Sequence, residues 1–380
     1  MDAHSRRGEI TASNVFFLRM GAVREAAPIL ISAPVRGNHL TGSPASGILR
    51  VSASGGRSDM SRSTVVKEKS QRRAGYMEEL LERLLEECRC YTKEGRVADY
   101  IPELSKSDPD ALGIYVIGSE GKHSWAGDCR QKFTLQSVVK PILLLQALLD
   151  NGVEAVQSRV GVEATGKPFD AINAGDRALD SRHINPMVNM GAIVMCTLIH
   201  GADYEERFRR LLELTGRLAG EELTVDEAVY RSEKDHGSKN RALAYLLKSS
   251  GLLEDDVEEV LDCYFRACSI QVDCRALAHI GAVLSNRGRL PVSNRKIFPS
   301  ALSRYVNAIL MTCGMYDGSG EFAIRVGVPA KSGVAGGIMA VVPTRMGVGI
   351  YAPALDRKGN SLAGIQLLER LSRELYLSIF

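Results

Sequence analysis

No stretch of this chain approaches the roughly 18 uninterrupted apolar residues that a membrane-spanning helix needs. The best candidate, Ile142 to Leu149, is far too short, so no membrane partner is expected. The eight cysteines (88, 90, 129, 196, 263, 268, 274 and 313) contain no Cys-x-x-Cys. The seven histidines form no His-Glu-x-x-His and no Cys/His pair at zinc spacing. These absences set aside the common metal and dithiol signatures, and no metal or cofactor is expected. Most of the cysteines sit among apolar residues, where a thiol behaves as a small hydrophobe, so all eight are read as core residues of a protein in a reducing, cytoplasmic compartment. Internal repeats are absent as well. A phosphate-binding loop is approached but not completed by Gly161-Val-Glu-Ala-Thr-Gly166-Lys167. Pro168 stands where Ser or Thr is needed, no apolar strand leads in, and Pro168 to Asn173 starts a helix poorly, so the segment reads as a surface loop.

Net charge is small over most of the chain and concentrated at one end. Residues 1–75 carry 12 Lys and Arg against 5 Asp and Glu, while the remaining 305 carry 36 against 40. The basic segment has no aromatic interleaving and no helical basic stripe, so no nucleic-acid partner is expected. It is rich in Ser, Arg, Gly and Ala without a sustained period, and residues 1–75 are therefore read as a disordered basic leader. Glu9, Glu25 and Asp59 argue against a transit peptide, and two prolines interrupt its apolar run from Ala26 to Val35. Start-site choice is the other explanation for this segment.

What is present begins at Met77. Leu80, Leu81, Leu84, Leu85 and Cys88 recur at helical spacing with acids on the opposite face. Leu112 to Ile117 and His123 to Gly127 read as two strands joined by Gly118-Ser119-Glu120-Gly121. An almost wholly apolar helix follows from about Ser137 to Asp150, with Pro141 near its start. From about 150 to 315 the pattern is mostly helical, with segments at Glu205 to Leu218, Thr224 to Glu233, Asn240 to Ser249, Asp255 to Cys268 and Cys274 to Asn286. Strand-like runs return at Phe322 to Val328, Gly337 to Val342 and Met346 to Tyr351, and a last helix covers about Leu362 to Leu377. The expected class is α+β, with one antiparallel sheet built from about 110–128 and 320–352, an all-α region beside it, and a single domain over 76–380.

Two short motifs carry chemistry. Ser137-Val-Val-Lys140 places a hydroxyl and an amine three residues apart on one helix face, a nucleophile with its own base. Lys140 at the start of an apolar helix should lose solvent on one side, which makes the neutral amine accessible. Ser137 can equally be a residue capping its own helix, and Lys140 can extend to solvent. The second motif, Lys331-Ser332-Gly333, begins a strand; Ser-x-x-Lys acyl enzymes line their site with such a Lys-Thr-Gly strand, although a glycine-rich hairpin corner reads the same way.

Seven segments in order make the pattern specific. They are Tyr100-Ile101-Pro102, Phe133-Thr-Leu-Gln-Ser137-Val-Val-Lys140, Asn185-Pro-Met-Val-Asn189-Met-Gly-Ala192, Ser232-Glu233 with Asn240, Tyr264 before Cys268-Ser269, Cys313-Gly-Met-Tyr316-Asp-Gly-Ser-Gly320, and Pro329-Ala-Lys-Ser-Gly-Val-Ala-Gly-Gly337. Together they resemble the serine-dependent glutaminase family in its short, bacterial-like form, over about residues 77 to 378. Val139 and Met190 depart from that pattern without removing a functional group.

The resemblance implies a β-lactamase-like fold and hydrolysis of the side-chain amide of L-glutamine to L-glutamate and ammonia through a γ-glutamyl ester of Ser137. Lys140 would be the base, and Tyr100 or Tyr316 would relay a proton, the sequence not choosing between them. The backbone N–H groups of Ser137 and Val334 would hold the oxyanion. Glu233 would meet the substrate ammonium, with Asn189, Asn240, Tyr264 and Tyr316 completing the amino-acid site. Taken singly, Glu233 is a solvated helix residue, the two asparagines are caps and Tyr264 is core. Relatives associate, so the resemblance also implies a homodimer or homotetramer. Two other functions fit the same motifs: another Ser-x-x-Lys acyl enzyme such as a β-lactamase, peptidase or esterase, and a glutamine-binding sensor that does not turn its ligand over.

Overall fold

The stripe of Leu80, Leu81, Leu84, Leu85 and Cys88 is buried along one face of α1 (Arg62–Cys88), as its three-four spacing requires. The structure is a computed structural model and describes residues 62–166, 168, 170, 171, 181 and 184–380. The helix α1 runs across the expected boundary at residue 75, and the rest of the expected leader, residues 1–61, lies outside the described residues.

After α1 the chain forms β1 (Gly113–Gly118), β2 (His123–Gly127) and the short β3 (Phe133–Thr134). There follow α2 (Lys140–Asn151), α3 (Val153–Gln157), α4 (Asn189–Thr197), α5 (Tyr204–Ala219), α6 (Glu227–His236), α7 (Ser238–Ser249) and α8 (Val257–Cys268). Then come β4 (Gln271–Val272), α9 (Cys274–Ser285), α10 (Ser300–Cys313), α11 (Ser319–Arg325), β5 (Ala330–Ser332), β6 (Gly337–Val342), β7 (Met346–Tyr351) and α12 (Leu362–Leu375). Aspartates mark several of the starts: the carboxylates of Asp203, Asp226, Asp256 and Asp273 accept from the first free N–H groups of α5, α6, α8 and α9.

The main sheet is antiparallel with order β2-β1-β7-β6-β5, joining strands from both ends of the domain, as the α+β reading expects. Its two faces alternate along each strand. Ile114, Val116, Ile338, Ala340, Val342, Val348 and Ile350 share one core with α1 and α12, while Tyr115, Ile117, Met339, Val341 and Tyr351 belong to the other, under α9 and the helical region. The helix α9 lies almost on the strand backbone. A Cβ at Gly349 would come within 2.0 Å of the Cys274 carbonyl oxygen and one at Gly347 within 2.0 Å of the Ala282 nitrogen, so β7 carries glycine where α9 crosses it.

Two expectations are corrected. Phe322 to Val328 is not a strand: α11 ends at Arg325, and the second part of the sheet begins at Ala330 rather than near 320. Phe322 and Val326 are four residues apart and both buried, while Ile324 between them is 89% exposed, a helical division that short alternation imitates. The eight cysteines are all free, but Cys90 is exposed in the 3₁₀ turn after α1 and is not a core residue. Among the described residues, no helix is long and apolar enough to cross a membrane.

Candidate active site

The β3–β4 pair sets the position of Ser137. Phe133 pairs with Val272, Thr134 pairs with Gln271, and the Leu135 N–H donates to the Ile270 carbonyl at 2.9 Å, which ties the Ser137 turn to the segment leaving α8. Residues Gln136–Val139 form one 3₁₀ turn that runs into α2 at Lys140. In such a turn side chains at i and i+3 eclipse, so Ser137 and Lys140 share one edge. The helix-start positions are held by Leu135 and Val139, without a side-chain capping bond, so Ser137 is not spent as a cap. Gln136 has a positive φ of 47°, backbone strain located one residue before the serine.

Lys140 does not reach solvent: it has no exposed surface, and its Nζ donates to Asn189 Oδ1 at 2.6 Å. Burial lowers its pKa from 10.5 to about 8, opposed by the charges of Cys268 and Asp170. Asn189 begins α4 and links several groups. Its Oδ1 also accepts from the Tyr264 hydroxyl at 3.5 Å, and its Nδ2 donates to Asn240 Oδ1 at 2.9 Å.

Glu233 is buried on α6, two turns beyond the Asp226 cap, and Gly237 lets the α6–α7 corner press on α8, since a Cβ there would stand 2.4 Å from Phe265 Cζ. That corner brings Glu233 and Asn240 to Tyr264. Burial pushes the Glu233 carboxyl up, and hydrogen bonds from Tyr100 and Gln136 pull it back. The Tyr100 hydroxyl donates to Glu233 Oε1 at 2.7 Å and approaches Gln136 Oε1 at 2.9 Å. Although half of Tyr100 is exposed, enclosure of its hydroxyl and the nearby Glu233 charge hold the phenol well above its ordinary pKa, so it stays a donor.

These groups line one cavity of about 390 Å³, whose wall includes Tyr100, Ser137, Asn189, Glu233, Asn240, Tyr264 and Val334. Of the residues singled out in the sequence, Lys140 is sealed behind this wall, and Tyr316 lines a separate cavity of about 110 Å³. Tyr316 nonetheless feels the serine: burial raises its pKa, and the Ser137 side chain opposes the rise. Its own φ is 56°. Val334 follows Gly333, where a Cβ would lie 2.8 Å from the Leu135 carbonyl oxygen, so the glycine allows the segment after β5 to approach the serine turn. No backbone carbonyl among the described residues accepts from the N–H of Ser137 or of Val334.

Several contributors went unnoticed in the sequence. Gln136 carries no signal of its own in the sequence, and nothing local announces its backbone conformation. Cys268 lines the cavity, and Asp170, paired with Lys239, stands at its edge. Lys331, whose strand is expected to line the site, is fully buried, with Nζ 4.2 Å from the Tyr316 ring centroid.

The glutaminase family model matches residues 95–380. A glutaminase of Clostridium tetani is 50% identical over 305 residues, covering 80% of this chain and all of that relative. Among solved structures, a probable glutaminase from Bacillus subtilis complexed with 6-diazo-5-oxo-L-norleucine superposes with a TM-score of 0.73 at 38% identity, over 79% of this chain and 95% of that one. Another, the covalent complex of a Bacillus subtilis glutaminase with 5-oxo-L-norleucine formed by reaction with 6-diazo-5-oxo-L-norleucine, has a TM-score of 0.73 at 37% identity, over 80% and 99%.

Proposed function

The chain belongs to the serine-dependent glutaminase family and hydrolyses the side-chain amide of L-glutamine to L-glutamate and ammonia, and from that premise we propose that Ser137 carries the γ-glutamyl group. The observation that carries this reading is Lys140: an amine with no solvent, a pKa of about 8, and a place one 3₁₀ turn after the serine. Such an amine is neutral in a useful fraction of molecules near neutral pH, whereas a solvated lysine is not.

Ser137 Oγ attacks the amide carbon while Lys140 takes its proton. The N–H groups of Ser137 and Val334 receive the oxyanion. Collapse of the tetrahedral adduct breaks the C–N bond, and the nitrogen leaves as ammonia with a proton delivered through Tyr316. Water then attacks the ester, Lys140 accepts its proton and passes it to Ser137 Oγ as the ester C–O bond breaks, and glutamate leaves with Ser137 and Lys140 restored. The influence of Ser137 on the Tyr316 phenol favours Tyr316 as the relay, since the Tyr100 hydroxyl is engaged with Glu233 and Gln136. We assign Tyr100 to orienting Glu233, which faces the substrate ammonium, while Asn189, Asn240 and Tyr264 hold the rest of the amino-acid end.

The covalent adduct of the Bacillus subtilis relative supports a nucleophile in a site of this kind. Eight free cysteines support a reducing, cytoplasmic setting. A homodimer or homotetramer is part of the same proposal, checked by light scattering on the eluting protein. The deciding experiment measures ammonia from glutamine and from asparagine for the wild type beside Ser137→Ala. The variant is expected to lose at least about 10³ in turnover and to keep binding glutamate. Retained turnover refutes the assignment.

A further inference from the structure

Tyr316 has a backbone φ of 56°, a conformation that a bulky side chain rarely adopts and that persists only where the surroundings over-determine it. Three segments meet at this turn. The Gly314 carbonyl accepts from the Ser332 N–H of β5 at 3.2 Å. Ser319, the first residue of α11, uses one hydroxyl twice: it accepts from the Met315 N–H at 3.0 Å and donates to the Tyr316 carbonyl at 2.9 Å. Asn360, in the loop between β7 and α12, donates from Nδ2 to the Met315 carbonyl at 3.3 Å, and the Gly318 N–H donates to the same carbonyl at 3.0 Å. Asp356 fixes that loop, its Oδ1 accepting from the N–H groups of Lys358 and Asn360 at 2.8 and 2.9 Å. Both carbonyls that flank the Tyr316 Cα are thus tied by buried side chains. Asn360 Oδ1 has no hydrogen-bond partner among the described residues. A buried amide left half satisfied is costly, and an apolar side chain of its size would avoid that cost, so the bond to Met315 is what the asparagine adds.

We infer that Ser319 and Asn360 are positioning residues for the proton relay: they lock the two peptide groups that flank the Tyr316 Cα in the left-handed conformation, and so hold the phenol where it serves Ser137. The inference rests on the reading of Tyr316 as the relay. The orientation of those two peptide planes fixes the direction in which Cβ leaves the chain. Release of either plane lets φ return to its favoured negative range, and the ring then swings from its present place with its centroid 4.2 Å from Lys331 Nζ. Proton transfer needs hydrogen-bond distance, so a small swing costs turnover. Neither Ser319 nor Asn360 lines the cavity that holds Glu233, Asn189 and Asn240, so neither acts on the amino-acid end of the substrate.

The test is a double-mutant cycle, with kcat and KM for glutamine measured in the wild type, Ser319→Ala, Tyr316→Phe and the two together. For Ser319→Ala we expect KM within about threefold of wild type and kcat lower by at least about tenfold. In the Tyr316→Phe background no hydroxyl is left to aim, and the same change should alter kcat by less than about twofold. A role in packing alone would cost as much in either background. Losses that multiply therefore overturn the inference, as does a Ser319→Ala kcat equal to that of the wild type. If Tyr316→Phe keeps its turnover, the relay reading itself falls; if it is slow while the losses multiply, only this inference falls. Should Ser319→Ala fail to fold, Asn360→Leu takes its place in the cycle with the same outcomes. Should Tyr316→Phe be too slow to score, kcat/KM for the γ-glutamyl ester of p-nitrophenol decides, because its phenolate leaves without a proton. Ser319→Ala should match the wild type on that ester to within about twofold, and an equal loss on ester and amide overturns the inference.

Discussion

Replacing Lys140 with methionine is expected to abolish turnover and, at neutral pH, to make the protein more stable. The side chain keeps its length and apolar stem and loses only the amine. Lys140 is fully buried, and burial takes its pKa from 10.5 to about 8. The folded protein therefore binds this proton more weakly than the unfolded chain does. Between about pH 8 and pH 10.5 the unfolded chain holds more protons, so stability rises with pH across that window. Below about pH 8 the whole penalty is present, and a drop of that size corresponds to about 3 kcal/mol. Methionine removes it. The variant also loses the 2.6 Å hydrogen bond to Asn189, whose Oδ1 keeps the longer contact from Tyr264, at a cost of about 1 kcal/mol. Lys140→Met should thus exceed the wild type by about 2 kcal/mol at pH 7 and fall about 1 kcal/mol behind it by pH 10.5. Urea unfolding of both proteins at the two pH values reads this directly. A variant less stable at pH 7, by a margin that pH does not change, would show that the amine is not held in the interior as a destabilising base.

Wild-type kcat/KM for glutamine should rise with pH through about 8, since only neutral Lys140 accepts the serine proton; at pH 6 it should be about a hundredth of the plateau, and a profile flat to pH 6 refutes the role. Glu233→Gln keeps the shape of the buried residue and removes the charge proposed to face the substrate ammonium. KM should rise by at least about 30-fold with a smaller change in kcat, measured at saturating glutamine, and an unaltered KM places the ammonium elsewhere. In Gly349→Ala the new Cβ would stand 2.0 Å from the Cys274 carbonyl oxygen, with backbone on both sides of the clash. A loss of at least about 2 kcal/mol in a urea melt is expected, and a neutral result means that α9 does not rest on β7.

Much of the fold was legible because its elements declare themselves locally. The stripes of α1, α5, α8 and α9 and the short runs of β1, β2, β6 and β7 between turn residues need only neighbouring residues to be read. Asn189–Thr197 escaped because Met-Gly-Ala-Ile-Val-Met-Cys is apolar on every side and has no period to detect. Phe322 to Val328 misled because a run of seven residues fits either period, and only its burial partners decide between them.

At the site, the sequence by itself determined the i, i+3 spacing of Ser137 and Lys140 and, through seven ordered segments, the family. It left open whether Ser137 was a cap, whether Lys140 reached water, and which tyrosine stood beside the serine. Tertiary structure decided these. Tyr100 finds Glu233 at a separation of 133 positions, and Lys140 finds Asn189 at one of 49. Lys331 meets the Tyr316 ring only because β5 is the edge strand of the sheet beside the serine turn. Which residues a short segment carries sets its own hydrogen bonds and its apolar face, but the pKa of a buried amine depends on how much water the rest of the chain removes and whose charges it brings near.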